Sequence, residues 1–195
     1  MKIPRRNLLQ RGLGLTMAAV FPGLWTRAAG ATHSGSEIDE RMADGRGLAG
    51  LTKHDLPTPT LVLDLDIFEA NLARMSRHAK AAAINLRPHA KTHKCVEVAR
   101  RQIKAGALGV CVATIREAEA MAAAGIKGLL ITSELVGPAK ISRLVRLARA
   151  QPDTMAVIDN PRHADQLSEA AVAAKVRLNL LLDIDPGSRR TGVQA

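Results

Sequence analysis

LGVCVATIREAEAMAAAGIKGLLIT, residues 108–132, contains one full period of the pattern that decides the fold. Leu108 to Ala113 is an apolar run and reads as a buried strand. Ile115 to Ala124 then reads as a helix, and Gly125 sits at its C-terminal turn. A second apolar run, Gly128 to Thr132, closes the unit. Strand, helix and strand in so few residues imply a parallel pair with a right-handed crossover.

The alternation continues on both sides. Upstream, Leu61 to Leu65 reads as a short strand, followed by a helix capped by Asp66 with Glu69 completing a capping box. Phe68, Leu72, Met75 and Ala79 share one face of that helix. Ile84 to His89 is a strand, and Cys95 to Lys104 is a helix that buries Val96, Ala99 and Ile103. Downstream, Pro138 opens a helix running to Ala150, Met155 to Ile158 is a strand, and Asn160-Pro161 starts another helix with a cap followed by Pro. Arg177 to Ile184 is a last apolar strand. From Ile84 the chain therefore reads as five β segments joined by four helices. An open doubly wound sheet and an arc of an eight-stranded β/α barrel both satisfy this order. No G-x-G-x-x-G follows a strand, and no Walker A loop is present.

Composition agrees with alanine-rich helices on aliphatic strands. Of 195 residues, 47% are apolar and only 2% aromatic, which disfavours a β-sandwich. The net charge of +10 is unevenly placed. Residues 1–35 hold Lys2, Arg5, Arg6, Arg11 and Arg27 without an acid, so half of the excess lies there. With no Lys/Arg run and few rings to stack on bases, nucleic-acid binding is not expected.

The opening segment reads as an export signal, residues 1–31. Arg5-Arg6-Asn7-Leu8-Leu9 is a twin-arginine pattern, Gly12 to Trp25 is an apolar core, and Ala29-Gly30-Ala31 supplies a cleavage site. That core is too short and too interrupted to span a bilayer, so no stable membrane span is expected. Residues 32–55 read as a linker, and the folded part is expected over 56–195.

Reactive groups in parallel β/α units collect at the C-terminal ends of strands. The densest such exit is His89-Ala90-Lys91-Thr92-His93-Lys94. Crowding by Arg87, His93 and Lys94 is expected to lower the pKa of Lys91 and make it a nucleophilic amine. The same residues also read as solvated loop charges. His89 and His93 are four apart, yet no neighbouring carboxylate completes a metal set. Cys111 lies in an apolar strand and Cys95 begins a helix, and both read as thiols.

Leu56-Pro57-Thr58-Pro59, Leu63-Asp64 and Arg87-Pro88-His89-Ala90-Lys91-Thr92-His93-Lys94 resemble the D-threonine aldolase / D-serine dehydratase family. These are fold-type III pyridoxal-phosphate enzymes with an alanine-racemase-like barrel. Glu117-Ala118-Glu119, Val136 to Lys140 and Asp185 to Val193 extend the match across 56–195. The resemblance implies an incomplete (β/α)8 barrel, stopping after its fifth strand, whose remainder and C-terminal β domain lie outside these residues. It implies that Lys91 carries pyridoxal 5'-phosphate, that Arg190 lies near the cofactor's phenolic oxygen, that His89 contacts the cofactor, and that His93 tunes the lysine or meets substrate. It further implies a lyase acting on a small D-β-hydroxy-α-amino acid by aldol cleavage or dehydration. A divalent metal (Mn, Mg or Zn) would come from the missing domain, with no metal ligands in this chain, and the full-length protein would be a homodimer. A non-catalytic pyridoxal-phosphate homeostasis barrel and an amino-acid racemase are the alternatives.

The leader generates a direct test. Exported protein is expected to begin near Thr32 on N-terminal sequencing, and joint Arg5→Lys and Arg6→Lys substitution is expected to block its appearance in the periplasm.

Overall fold

The computed structural model describes residues 33–194, so the twin-arginine segment lies outside the described residues. The chain divides into two compact units, Met1–Leu63 and Asp64–Ala195. In the first, the segment read as a linker carries helix α1, Gly35–Ala43. Ser34 caps it, and Glu37 returns the bond to the Ser34 backbone, a complete capping box. Thr52 and Asp55 repeat the device around a single 3-10 turn, Lys53–Asp55.

The second unit opens with α2, Leu65–Ala81. Here the structure corrects the sequence reading. Leu61–Leu65 is not a strand, and the cap is Asp64, whose carboxylate accepts the Ile67 N–H at 3.0 Å. Asp66 lies inside the first turn, where a carboxylate still complements the helix dipole. Glu69 is turned sideways to Arg101 of α3, Val96–Lys104.

Next in order are β1 (Cys111–Val112), α4 (Ile115–Ala123), β2 (Leu130–Ile131), α5 (Pro138–Ala150), β3 (Met155–Ile158), α6 (Pro161–Ala174) and β4 (Asn179–Leu182). β5 (Ile184–Asp185) and β6 (Val193–Gln194) form a separate parallel pair. The main sheet is four-stranded and parallel in the order β1-β2-β3-β4. Every neighbour in space is the neighbour in sequence, with a helix between, and the order never reverses as it does in a doubly wound sheet. The sheet is an open arc: closure into an eight-stranded barrel is not present among the described residues.

Ile84–His89 is also corrected. It runs beside β1 but forms only a bridge, His89 to Cys111, plus two bonds in which Leu108 and Cys111 N–H donate to Leu86 and Pro88 carbonyls. Pro88 has no N–H, so the ladder cannot continue through it. Met155–Ile158 keeps its expected bounds, while the strands expected at 108–113, 128–132 and 177–184 shorten to Cys111–Val112, Leu130–Ile131 and Asn179–Leu182.

Caps and side-chain size explain the layers. Thr114 starts α4 by accepting the Glu117 N–H, and Ile115, Ala118 and Met121 form its buried face. Gly137 at φ +98° precedes Pro138 at the start of α5, where the missing N–H costs nothing. Asn160 and Pro161 do the same for α6. Under these helices lie Val110, Val112, Leu129, Ile131 and Ala156, all buried. Ala99, Ala118 and Ala148 let the helices sit close to them.

Much of the positive charge is structural. Arg100 of α3 donates to the Ala124 carbonyl at the end of α4, and Arg149 of α5 to Ala174 at the end of α6. Each places a cation at the negative end of a neighbouring helix. Arg143 of α5 forks onto Glu119 of α4. At the N-terminal ends of the strands, Arg87 reaches the Gly128 carbonyl, Asp153 accepts the Gly128 N–H, and Asn179 donates to Pro152 and Thr154. Among the described residues no helix is long and apolar enough to cross a membrane.

Leu129 is fully buried at the centre of this core. Leu129→Ala is expected to cost about 2–5 kcal/mol in urea unfolding, against under about 0.5 kcal/mol for Val172→Ala at an exposed helix position.

Candidate functional site

The chain leaves the extended segment at His89 and enters a single 3-10 turn, Ala90–Thr92. Ala90 is buried and anchors the turn. Its carbonyl accepts the N–H of His93 at 3.2 Å and of Lys94 at 2.7 Å. The Thr92 hydroxyl donates to the His89 carbonyl. Lys94 takes φ +48°, a left-handed conformation unusual for a residue with a side chain, and redirects the chain into α3.

Both histidines act first on the backbone. His89 Nδ1 accepts the Lys91 N–H at 3.2 Å, and His93 Nδ1 accepts the Cys95 N–H at 3.1 Å. An acceptor nitrogen carries no proton, so each ring is neutral with its proton on Nε2. His89 Nε2 then faces the Thr132 hydroxyl at 3.0 Å. His93 Nε2 is buried near Gln102 on α3 and makes no hydrogen bond. Burial lowers the pKa of both rings. For His89 the adjacent Lys91 adds to the effect and Glu117 opposes it.

The cations separate. Arg87 is committed to the Gly128 carbonyl at the opposite end of the strands. Lys94 pairs with Glu117 at 3.2 Å, and the second Glu117 oxygen accepts the Ala113 N–H at 2.8 Å. Burial pushes the Glu117 carboxyl up, but the Ala113 N–H, Lys94 and the Thr114 N–H together hold it below the ordinary carboxylate range. Lys91 is exposed, and among the described residues no carboxylate pairs with it. The turn therefore presents one amine that is free to react and one that is neutralised.

Arg190 lies on the exposed 186–192 loop between β5 and β6. Asp185 shapes this loop by accepting the N–H groups of Gly187 and Arg189 and the Ser188 hydroxyl. No hydrogen bond or ion pair joins Arg190 to the 89–94 turn. The structure thus gathers Lys91, His89, Lys94 and Glu117, turns His93 toward α3, and leaves Arg190 apart. Sequence reading gave Glu117 and Thr132 no role of their own, although Lys94 and Glu117 stand one β/α period apart. Cys95 and Cys111 are both free. Burial raises the Cys111 thiol pKa, with Arg87 opposing. Among the described residues no group of three or more His, Cys, Asp or Glu is placed to hold a metal ion.

Because both imidazoles fold neutral, the unfolded chain binds more protons below about pH 6.5. Their contribution to stability is complete above that value and is lost as pH falls through the lower folded values. Unfolding free energy is expected to decline from about pH 7 toward about pH 5. His93→Asn, which keeps an acceptor for the Cys95 N–H but cannot titrate, is expected to flatten part of that decline in denaturant titrations.

The family described as alanine racemase, N-terminal domain, matches residues 63–195. D-threonine aldolase of Arthrobacter sp. is 46% identical over 136 residues, 70% of this chain and 36% of the relative. 3-Hydroxy-D-aspartate aldolase of Paracoccus denitrificans is 40% identical over 147 residues, 75% of this chain and 38% of the relative. The crystal structure of D-threonine aldolase from Filomicrobium marinum superposes with a TM-score of 0.69 at 44% identity, covering 72% of this chain and 38% of that one. The chain thus spans between a third and two fifths of the length of these relatives. By its sequence match and its parallel α/β sheet, it belongs to the alanine racemase N-terminal domain family.

Proposed function

We propose that this chain carries the cofactor lysine of a pyridoxal-phosphate-dependent lyase acting on D-3-hydroxy amino acids. The observation that supports it most is Lys91: an exposed primary amine just beyond the extended 84–89 segment that bridges β1, on a turn fixed by hydrogen bonds to its own backbone. Aldol cleavage is favoured over dehydration because the aldolases match at 46% and 40% identity. D-threo-3-hydroxyaspartate dehydratase of Delftia sp. matches at 34%. On D-threonine the reaction would break the Cα–Cβ bond and yield glycine and acetaldehyde.

The residues present fit the cofactor. Its aldehyde needs a primary amine, and Lys91 supplies an exposed one that pairs with no carboxylate among the described residues. When bound, pyridoxal phosphate supplies an electron sink for the pair released at Cα. This chain's own contribution is positional. The His89 ring fixes the Lys91 backbone, and Glu117 holds Lys94 away as an ion pair. Arg190 would serve the cofactor only if the 186–192 loop approaches the turn.

The sheet arc would be part of an eight-stranded barrel. Its order is sequential, and Ile84 at one edge and Leu181, Leu182 and Ile184 at the other are exposed apolar residues that a neighbouring strand would cover. A divalent metal finds no ligand group among the described residues, so no step is derived through one. A Delftia dehydratase structure carries a cysteine-to-alanine variant in the metal-free form, which ties a metal to that relative. Homodimerisation and a periplasmic location belong to the same proposal.

Incubation with pyridoxal 5'-phosphate, borohydride reduction and peptide mass spectrometry is expected to place the pyridoxyl group on Lys91. In the full-length protein, Lys91→Ala is expected to abolish both the label and acetaldehyde release from D-threonine, while the 195-residue chain alone is expected to be inactive. Label on Lys94 would overturn the assignment.

A further inference from the structure

Proton positions are fully determined along one chain of contacts that ends at the lysine turn. The Val112 carbonyl can only accept, and the Thr132 hydroxyl lies 3.2 Å from it, so the hydroxyl proton points there. The hydroxyl oxygen is then left as an acceptor toward His89 Nε2, 3.0 Å away. Nε2 must carry the imidazole proton. Nδ1 is consequently a lone pair, and it accepts the Lys91 N–H at 3.2 Å. The Lys91 amide requires this tautomer, and the Thr132 hydroxyl, donating to a carbonyl that also takes the Thr132 N–H at 2.9 Å, offers the acceptor that matches it, so the contacts form one consistent relay of hydrogen bonds.

The chain also crosses the sheet. Val112 is on β1, Thr132 follows β2, and His89 closes the extended segment on the far side of β1. The position of β2 is thereby transmitted to the backbone of Lys91. Without the hydroxyl, the half-buried Nε2–H loses its acceptor. The ring can then adopt the other tautomer, whose Nδ1–H would oppose the Lys91 N–H.

We propose that Thr132 is a positioning residue for the lysine turn, acting through His89 by fixing the tautomer that holds the Lys91 amide. Its effect on cofactor binding rests on the assignment of Lys91 above; the tautomer does not.

The test uses the protein with 15N-labelled histidine. In the wild type, His89 is expected to show one dominant Nε2–H tautomer by NMR, and the Lys91 amide is expected to exchange slowly. Thr132→Val is expected to mix the tautomers, speed Lys91 amide exchange, and raise the pyridoxal 5'-phosphate Kd by about 2- to 10-fold, the worth of one neutral hydrogen bond. Thr132→Ser, which keeps the hydroxyl, is expected to restore all three. Thr132→Ala replaces the valine variant where added bulk disturbs the strand. An unchanged tautomer and unchanged amide protection on loss of the hydroxyl would overturn the proposal, as would a serine variant indistinguishable from the valine one. Altered tautomer and amide exchange in a protein that never binds cofactor at Lys91 would uphold the positioning role and refute the cofactor assignment.

Discussion

Val112 is registered with Ile131, Ile131 with Ala156, and Ala156 with Leu180. This single row across four parallel strands sets what the rest of the unit can do. Because each strand returns through a helix to the same starting edge, all C-terminal ends face one side. The residues just beyond the row, Thr132 among them, are thereby brought beside the exit of the preceding extended segment. The row is held by burial: Val112 and Ile131 are fully enclosed, and the alanine-rich helices approach closely enough to leave no gap over them. At the other end of the strands, Arg87 and Asn179 donate to neighbouring carbonyls and Asp153 accepts the Gly128 N–H, which keeps the register.

That arrangement also accounts for the positive charge. A basic chain invites a polyanion as partner, yet five of the thirteen arginines of this unit tie its elements together. Arg100 and Arg149 end neighbouring helices, Arg143 ties α5 to α4, and Arg101 ties α3 to Glu69 of α2. Guanidinium groups suit this work because they offer several donors in a fixed plane to carbonyls and carboxylates. What charge remains near the candidate site is then selective. Lys94 is neutralised by Glu117 while Lys91 is not, although three residues separate them.

The sequence made some of this legible and hid the rest for physical reasons. α5, α6 and β3 fall where Pro138, Asn160-Pro161 and the apolar run 155–158 place them, since caps and N1 prolines act locally. The Lys91 turn was legible from its density of reactive side chains at a strand exit. The start of α2 was not, because Asp64 and Asp66 are both competent caps and only the backbone conformation at Asp64 decides between them. Ile84–His89 has strand composition, but Pro88 removes a donor that pairing needs. The roles of His89 and His93 were hidden most deeply. Proximity to Lys91 in sequence suggested that they meet the cofactor or substrate. In the structure each spends one nitrogen on the backbone two residues ahead.

Those backbone bonds change how the motif works. A histidine that accepts from the main chain must stay neutral, so the positive groups around the turn assist it: Lys91 disfavours the imidazolium at His89 as burial does. Glu117 pulls the other way, and its pairing with Lys94 and the Ala113 N–H limits how strongly it does so. The lysine and the carboxylate are thus balanced through the same ring. The density of the 89–94 segment reflects this coupling: Lys91, the ring that fixes its backbone and the cation that pairs with Glu117 lie within one turn of one another.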